Sequence, residues 1–133
     1  EILGICMPKL KRHFATIGVE LVHFAFRWIF CLLIREFPFW LSVKLIGYYF
    51  VTTDNPQEMC LYFALTLLLM YERTLLGMDR DKAILFLLKI PTEDWGYDDL
   101  EVFYMEACSL RKVLGPMMME KSEGYREYFY PSL

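Results

Sequence analysis

The sequence predicts an all-α domain of about six helices, packed around one central apolar helix. Three observations carry this expectation. Apolar residues recur at helical spacing, as at Leu10, Phe14 and Ile17, which stand at i, i+4 and i+7. The apolar runs are separated by proline, glycine and Asx residues of the kind that cap and stop helices. No stretch carries the signal of a strand, and there is no internal repeat or low-complexity segment.

The elements follow in order. Residues Glu1 to Met7 read as the end of a preceding element. Pro8 suits the first turn of a helix, where a missing N–H is harmless, and this helix runs to Ile17 with Gly18 as its left-handed cap. The stretch from Val19 to Pro38 reads as the central helix. From Leu21 to Ile34 every residue except His23 and Arg27 is apolar, and a helix apolar nearly all round must be buried on most sides. Glu20, His23 and Arg27 would then share one stripe, at i, i+3 and i+7. A buried arginine needs a partner; Glu20, two turns away, is one candidate, and backbone carbonyls are another.

A third helix covers Phe39 to Phe50, weakened by about 1 kcal/mol at its interior Gly47. Val51 to Gln57 is a loop containing Asp54-Asn55-Pro56, and a fourth helix runs from Pro56 to Leu76, stopping at Gly77. Asp79 caps a fifth helix, DRDKAILFLLKI, which Pro91 ends. A sixth runs from about Tyr97 to Leu114. Asp98, Asp99 and Glu101 stand at its start and Arg111 and Lys112 at its end, as the helix dipole favours. Gly115-Pro116 closes it and leaves residues 115–133 as a tail for which two readings stay open, a short docking helix or a loose segment.

Composition bounds the function. The chain has 133 residues, 56% of them hydrophobic, against about 45–50% in ordinary soluble domains. A small domain buries a modest fraction of its surface. The surplus must therefore be exposed or covered by another subunit, a membrane or the rest of the same domain. A net charge of −3 gives no reason to expect nucleic acid, which rewards a basic face. The longest uncharged run, Met59 to Tyr71, falls short of the ~20 residues a membrane-spanning helix needs, and Arg27, Lys44 and Arg73 interrupt the apolar segments. Cys6, Cys31, Cys60 and Cys108 form no C-x-x-C unit and are expected to be reduced thiols. With only His13 and His23 beside them, no zinc site is expected, and no phosphate loop or other cofactor motif is present.

Four segments resemble one known family, the TBC domain, which is the catalytic domain of Rab GTPase-activating proteins; the Gyp1-like branch is nearest. They are PKLKRHFATIGVE from Pro8 to Glu20, FAFRWIFCLLIREF from Phe24 to Phe37, MDRDKAILFLL from Met78 to Leu88, and PTEDW from Pro91 to Trp95. The second is the most specific. The resemblance covers residues 8–114 and implies the C-terminal helical subdomain of a TBC domain. Where the family has R-L-W-D, this chain has Lys44, Leu45, Ile46 and Gly47. The family's catalytic motifs, I-x-x-D-x-x-R and Y-x-Q, belong to the other half of the domain. Neither is found here: Gln57 is the only glutamine, and no arginine carries the required aspartate and isoleucine upstream.

The resemblance therefore implies no catalytic residue in this chain and no activity of the segment alone. It implies a part of a Rab GTPase-activating protein that scaffolds the catalytic half and contributes to binding a Rab-family small GTPase. The other partner implied is the N-terminal half of the TBC domain. A non-catalytic helical binding module, lacking both fingers, is the other expectation. Arg27, Trp28, Arg35, Glu36 and Trp95 are the family-motif residues, expected to be structural or partner-facing. The implied location is the cytoplasm, including peripheral association with endomembranes.

Overall fold

The computed structural model describes residues 2–129, with side chains through Met118 and at Glu120. Among these residues every regular element is helical: α1 (Ile2–Cys6), α2 (Pro8–Ile17), a 3-10 turn (Leu21–His23), α3 (Ala25–Phe30), α4 (Phe39–Thr52), α5 (Pro56–Met70), α6 (Glu72–Leu76), α7 (Arg80–Leu88) and α8 (Tyr97–Phe129). Among the described residues no helix is long and apolar enough to cross a membrane.

The helix ends follow local chemistry. Gly18 adopts φ 76° and ends α2, its N–H donating to the Phe14 carbonyl, a conformation that an L side chain resists. The Asn55 side chain accepts from the Glu58 N–H at 3.2 Å and starts α5. Asp79 does the same for α7 through the Lys82 N–H at 2.9 Å.

The core is organised by α5, not by the Val19–Pro38 stretch. Met59, Cys60 and the whole run from Tyr62 to Leu68 are buried. Phe63 stacks on Phe103 of α8 at 5.0 Å between ring centres and meets Tyr49 of α4 edge-on at 5.5 Å. Burial pushes the Cys60 thiol up to about 11, so it is packed as a small apolar group rather than held as a nucleophile. Tyr71 bends the predicted fourth helix into α5 and α6; its ring packs against Phe86 and its hydroxyl donates to the Pro91 carbonyl at 3.3 Å.

The expected central helix is instead a 3-10 turn, six residues of α3 and an irregular turn through Phe37. Register explains the break. Phe24 and Trp28 are one turn apart and both are buried, as are Leu33 and Phe37. The two pairs are five residues out of step, so no straight helix can turn both inward. A continued helix would set Arg35 on the face of Trp28. The chain resolves the conflict with two consecutive left-handed residues, Leu32 (φ 50°) and Leu33 (φ 60°), each strained by roughly 1–2 kcal/mol. Burying Leu33 completely returns about 1.5–3 kcal/mol, and Arg35 stays exposed. The stripe of Glu20, His23 and Arg27 is lost as well. His23 Nδ1 accepts from the Glu20 backbone N–H at 2.9 Å, and Arg27 finds its carboxylate elsewhere.

The last helix does not stop at Gly115-Pro116 but continues to Phe129. Pro116 removes one N–H from the ladder, and contacts on either side offset the loss. Leu114 is buried against the core, and the Tyr62 hydroxyl donates to Met118 Sδ at 3.5 Å. Arg111 is consequently mid-helix, where its Nε meets Glu58 Oε1 at 3.1 Å. Residues 130–133 of the expected tail lie outside the described residues.

The apolar surplus is visible on the surface. Phe26 and Phe30 stack on each other at 5.7 Å on the exterior of α3. Phe39, Phe50 and Val51 of α4 are each at least 79% exposed.

Candidate functional site

The irregular turn after α3 has lost its helical ladder, so its carbonyls need other donors. They come from side chains on three parts of the chain. The Tyr49 hydroxyl of α4 donates to the Leu32 carbonyl at 2.8 Å. Ser42 Oγ, also on α4, donates to Ile34 at 2.8 Å and to Phe37 at 3.3 Å. Thr92 Oγ1, from the loop after α7, donates to the Glu36 carbonyl at 3.2 Å. Cys60 Sγ of α5 lies 3.5 Å from the Trp28 carbonyl. Strained backbone persists only where its surroundings over-determine it, and these bonds supply that constraint.

The turn carries Glu36 back to Arg27. Arg27 Nε donates to Glu36 Oε1 at 2.7 Å and Nη2 to Oε2 at 3.4 Å. The Glu36 side chain is fully buried, whereas the Arg27 side chain is 34% exposed. Burial pushes the Glu36 carboxyl above its ordinary value of 4.5, and the charges of Arg27 and Arg35 pull it part of the way back.

The sign of the resulting pH dependence follows from linkage. A carboxyl whose folded pKa is raised contributes most below its unfolded pKa, and the contribution is lost as pH rises through the folded value. The urea midpoint of the wild type, minus that of Glu36→Gln, is therefore expected to be largest in acid, to fall as the pH rises through the raised folded value of Glu36, and then to level off. A flat difference would mean that Glu36 titrates as an ordinary exposed glutamate.

The pair forms one wall of a cleft of about 440 Å³. Arg35, Lys89 and Glu93 complete its charged lining, and Phe37 and Leu88 are among its apolar residues. Three of the five family-motif residues, Arg27, Arg35 and Glu36, thus come together. The other two stand behind them. Trp28 is buried, and its Nε1–H donates to the Leu87 carbonyl at 3.2 Å. Trp95 packs on Phe37 at 5.6 Å and Phe103 at 5.3 Å. Lys89 and Glu93 were not legible as site residues; their only signal was their position around Pro91, where α7 had to end. Among the described residues no group of three or more His, Cys, Asp and Glu side chains could hold a metal ion.

The model of the Rab-GTPase-TBC domain family matches residues 1–76. The chain belongs to this family. Over 99 residues the TBC segment is 31% identical to the GTPase-activating protein gyp1 of Schizosaccharomyces pombe, covering 74% of this chain and 19% of that protein. It is 29% identical over 112 residues to human TBC1 domain family member 22B, covering 84% of this chain and 22% of the relative. Among solved structures it resembles the crystal structure of the Ypt/Rab-GAP domain of Gyp1p, with a TM-score of 0.81 and 30% identity, over 84% of this chain and 35% of that one. The TBC segment thus spans about a fifth of the length of the curated relatives it matches.

Proposed function

We propose that this TBC segment is part of a Rab GTPase-activating protein, where it scaffolds the catalytic half of the domain and supplies part of the surface that binds a Rab-family GTPase. The observation that carries the reading is the likeness to the Gyp1p Ypt/Rab-GAP domain, close in fold at 30% identity over most of the chain. The exposed aromatic residues on α3 and α4 support it, because they suit contact with the remainder of a larger domain. Catalysis falls to fingers carried outside the segment. An arginine finger supplied in trans raises GTP hydrolysis by roughly 10³–10⁵ through charge stabilisation at the transferred phosphoryl. The cellular place that goes with this reading is the cytoplasmic side of endomembranes, reached as a peripheral protein.

The test compares the protein that carries this segment and its upstream sequence with the 133-residue chain alone. Phosphate release is measured from a panel of GTP-loaded Rabs. The longer protein is expected to accelerate at least one Rab by about 10³ or more, and the chain alone none. If the longer protein leaves every Rab at its intrinsic rate but still binds one, the segment belongs to a non-catalytic binding module.

A further inference from the structure

We infer that the cleft beside the Arg27–Glu36 pair receives a single carboxylate side chain from an acidic-apolar segment of a partner protein. Charge comes first. Arg27, Arg35 and Lys89 line the cleft against Glu36 and Glu93, three cations against two carboxylates. Glu36 is already committed to Arg27, which uses Nε and Nη2 on it and keeps further N–H donors in the guanidinium plane. Arg35 and Lys89 are exposed, and Arg35 is close enough to Glu36 to act on its charge. The surplus of one positive charge matches a monoanion.

Shape and surroundings narrow the class. A volume of about 440 Å³ lies in the ~300–1,000 Å³ range of sites that enclose a ligand group. Phe37, Pro38 and Leu88 offer apolar walls for the residue beside the acid. A phosphate dianion would bring a second negative charge towards Glu36 and Glu93, and like charges in one site oppose each other. The backbone is rigidly held here, since Thr92 ties Glu36 to the far wall, so the cleft is preformed rather than induced. This goes beyond the GTPase reading, because any protein presenting such a segment fits.

The experiment uses the 133-residue chain and fluorescence anisotropy. The probe is a dye-labelled Gly-Ser peptide carrying one Phe-Glu-Leu triplet. Two twins carry Gln or phosphoserine in place of Glu. The Glu peptide is expected to bind about tenfold or more tightly than the Gln twin, as a charge-assisted bond implies, and to weaken as salt is raised. The exchange Arg35→Glu with Lys89→Glu should abolish the preference, and the milder pair Arg35→Gln with Lys89→Gln should reduce it, with the helical circular dichroism unchanged. Equal binding of the Glu and Gln peptides, absence of binding, or binding that survives both double variants overturns the proposal. Tighter binding of the phosphoserine twin also overturns it, in favour of a phosphate site. None of these outcomes depends on Rab hydrolysis, so the two readings fail separately.

Discussion

Replacing Arg27 with alanine is expected to remove about 3–5 kcal/mol of folding free energy at neutral pH, far more than replacing Glu36 with glutamine. The asymmetry comes from exposure. Without Arg27, a fully buried carboxyl loses its partner and must either hold an unpaired charge or take up a proton, and both cost stability. Without the Glu36 charge, Arg27 is already one-third exposed and turns to water. Glutamine keeps an oxygen for the guanidinium and needs less desolvation than the carboxylate, so its loss is expected at or below about 1 kcal/mol. Urea titrations of both variants and of the double variant, followed by circular dichroism, decide the matter. The double variant should recover much of what Arg27→Ala loses. The Arg27→Ala loss should also shrink in acid, where Glu36 takes up a proton. Equal losses in the two single variants would contradict this account of the pair.

Trp28→Ala is expected to remove a further-reaching support, also about 3–5 kcal/mol, which is a large share of the ~5–15 kcal/mol that holds a domain. The Trp28 ring is buried, meets Phe24 edge-on at 4.9 Å and lines the floor of a small apolar groove with Leu61 and Leu65 of α5. Its Nε1–H reaches the Leu87 carbonyl at 3.2 Å, tying α3 to the end of α7 across 59 residues. Trp28→Phe keeps the ring contact and loses that bond, so it is expected to lose about 1–2 kcal/mol. Because Trp40 and Trp95 also fluoresce, helical circular dichroism against urea is the cleaner readout. A loss under about 1 kcal/mol for Trp28→Ala would show that the groove closes around the missing ring.

How far the sequence could be read depended on how local each determinant is. The all-α class, the glycine cap at Gly18, the Asn55 and Asp79 caps and the end of α7 before Pro91 rest on residues within one turn of each boundary. These were legible. The turn after α3 was not, because the break answers to what must be buried opposite it. Glu36 shows the consequence for the site. In a continuous helix a residue nine places on lies on the face opposite Arg27, so the helical assumption itself excluded the true partner and offered Glu20. Pro116 was misread for the same kind of reason. A local breaker was overridden by Leu114 and Met118, whose contacts come from Tyr62 and the core.

The hydrogen bonds that pin the turn also impose an order on its formation. Its carbonyls are satisfied by side chains 5, 8, 17 and 56 residues further along the chain. Contacts so distant in sequence close late, after the loop entropy between them has been overcome. α4 supplies the near donors as soon as it docks, but Thr92 arrives only when α5, α6 and α7 are in place. A chain emerging from the ribosome therefore carries Arg27 and Glu36 long before Thr92 is there to close the last of these bonds. The cleft is among the last features to mature, and a product truncated before Thr92 would lack the bond that fixes its far wall.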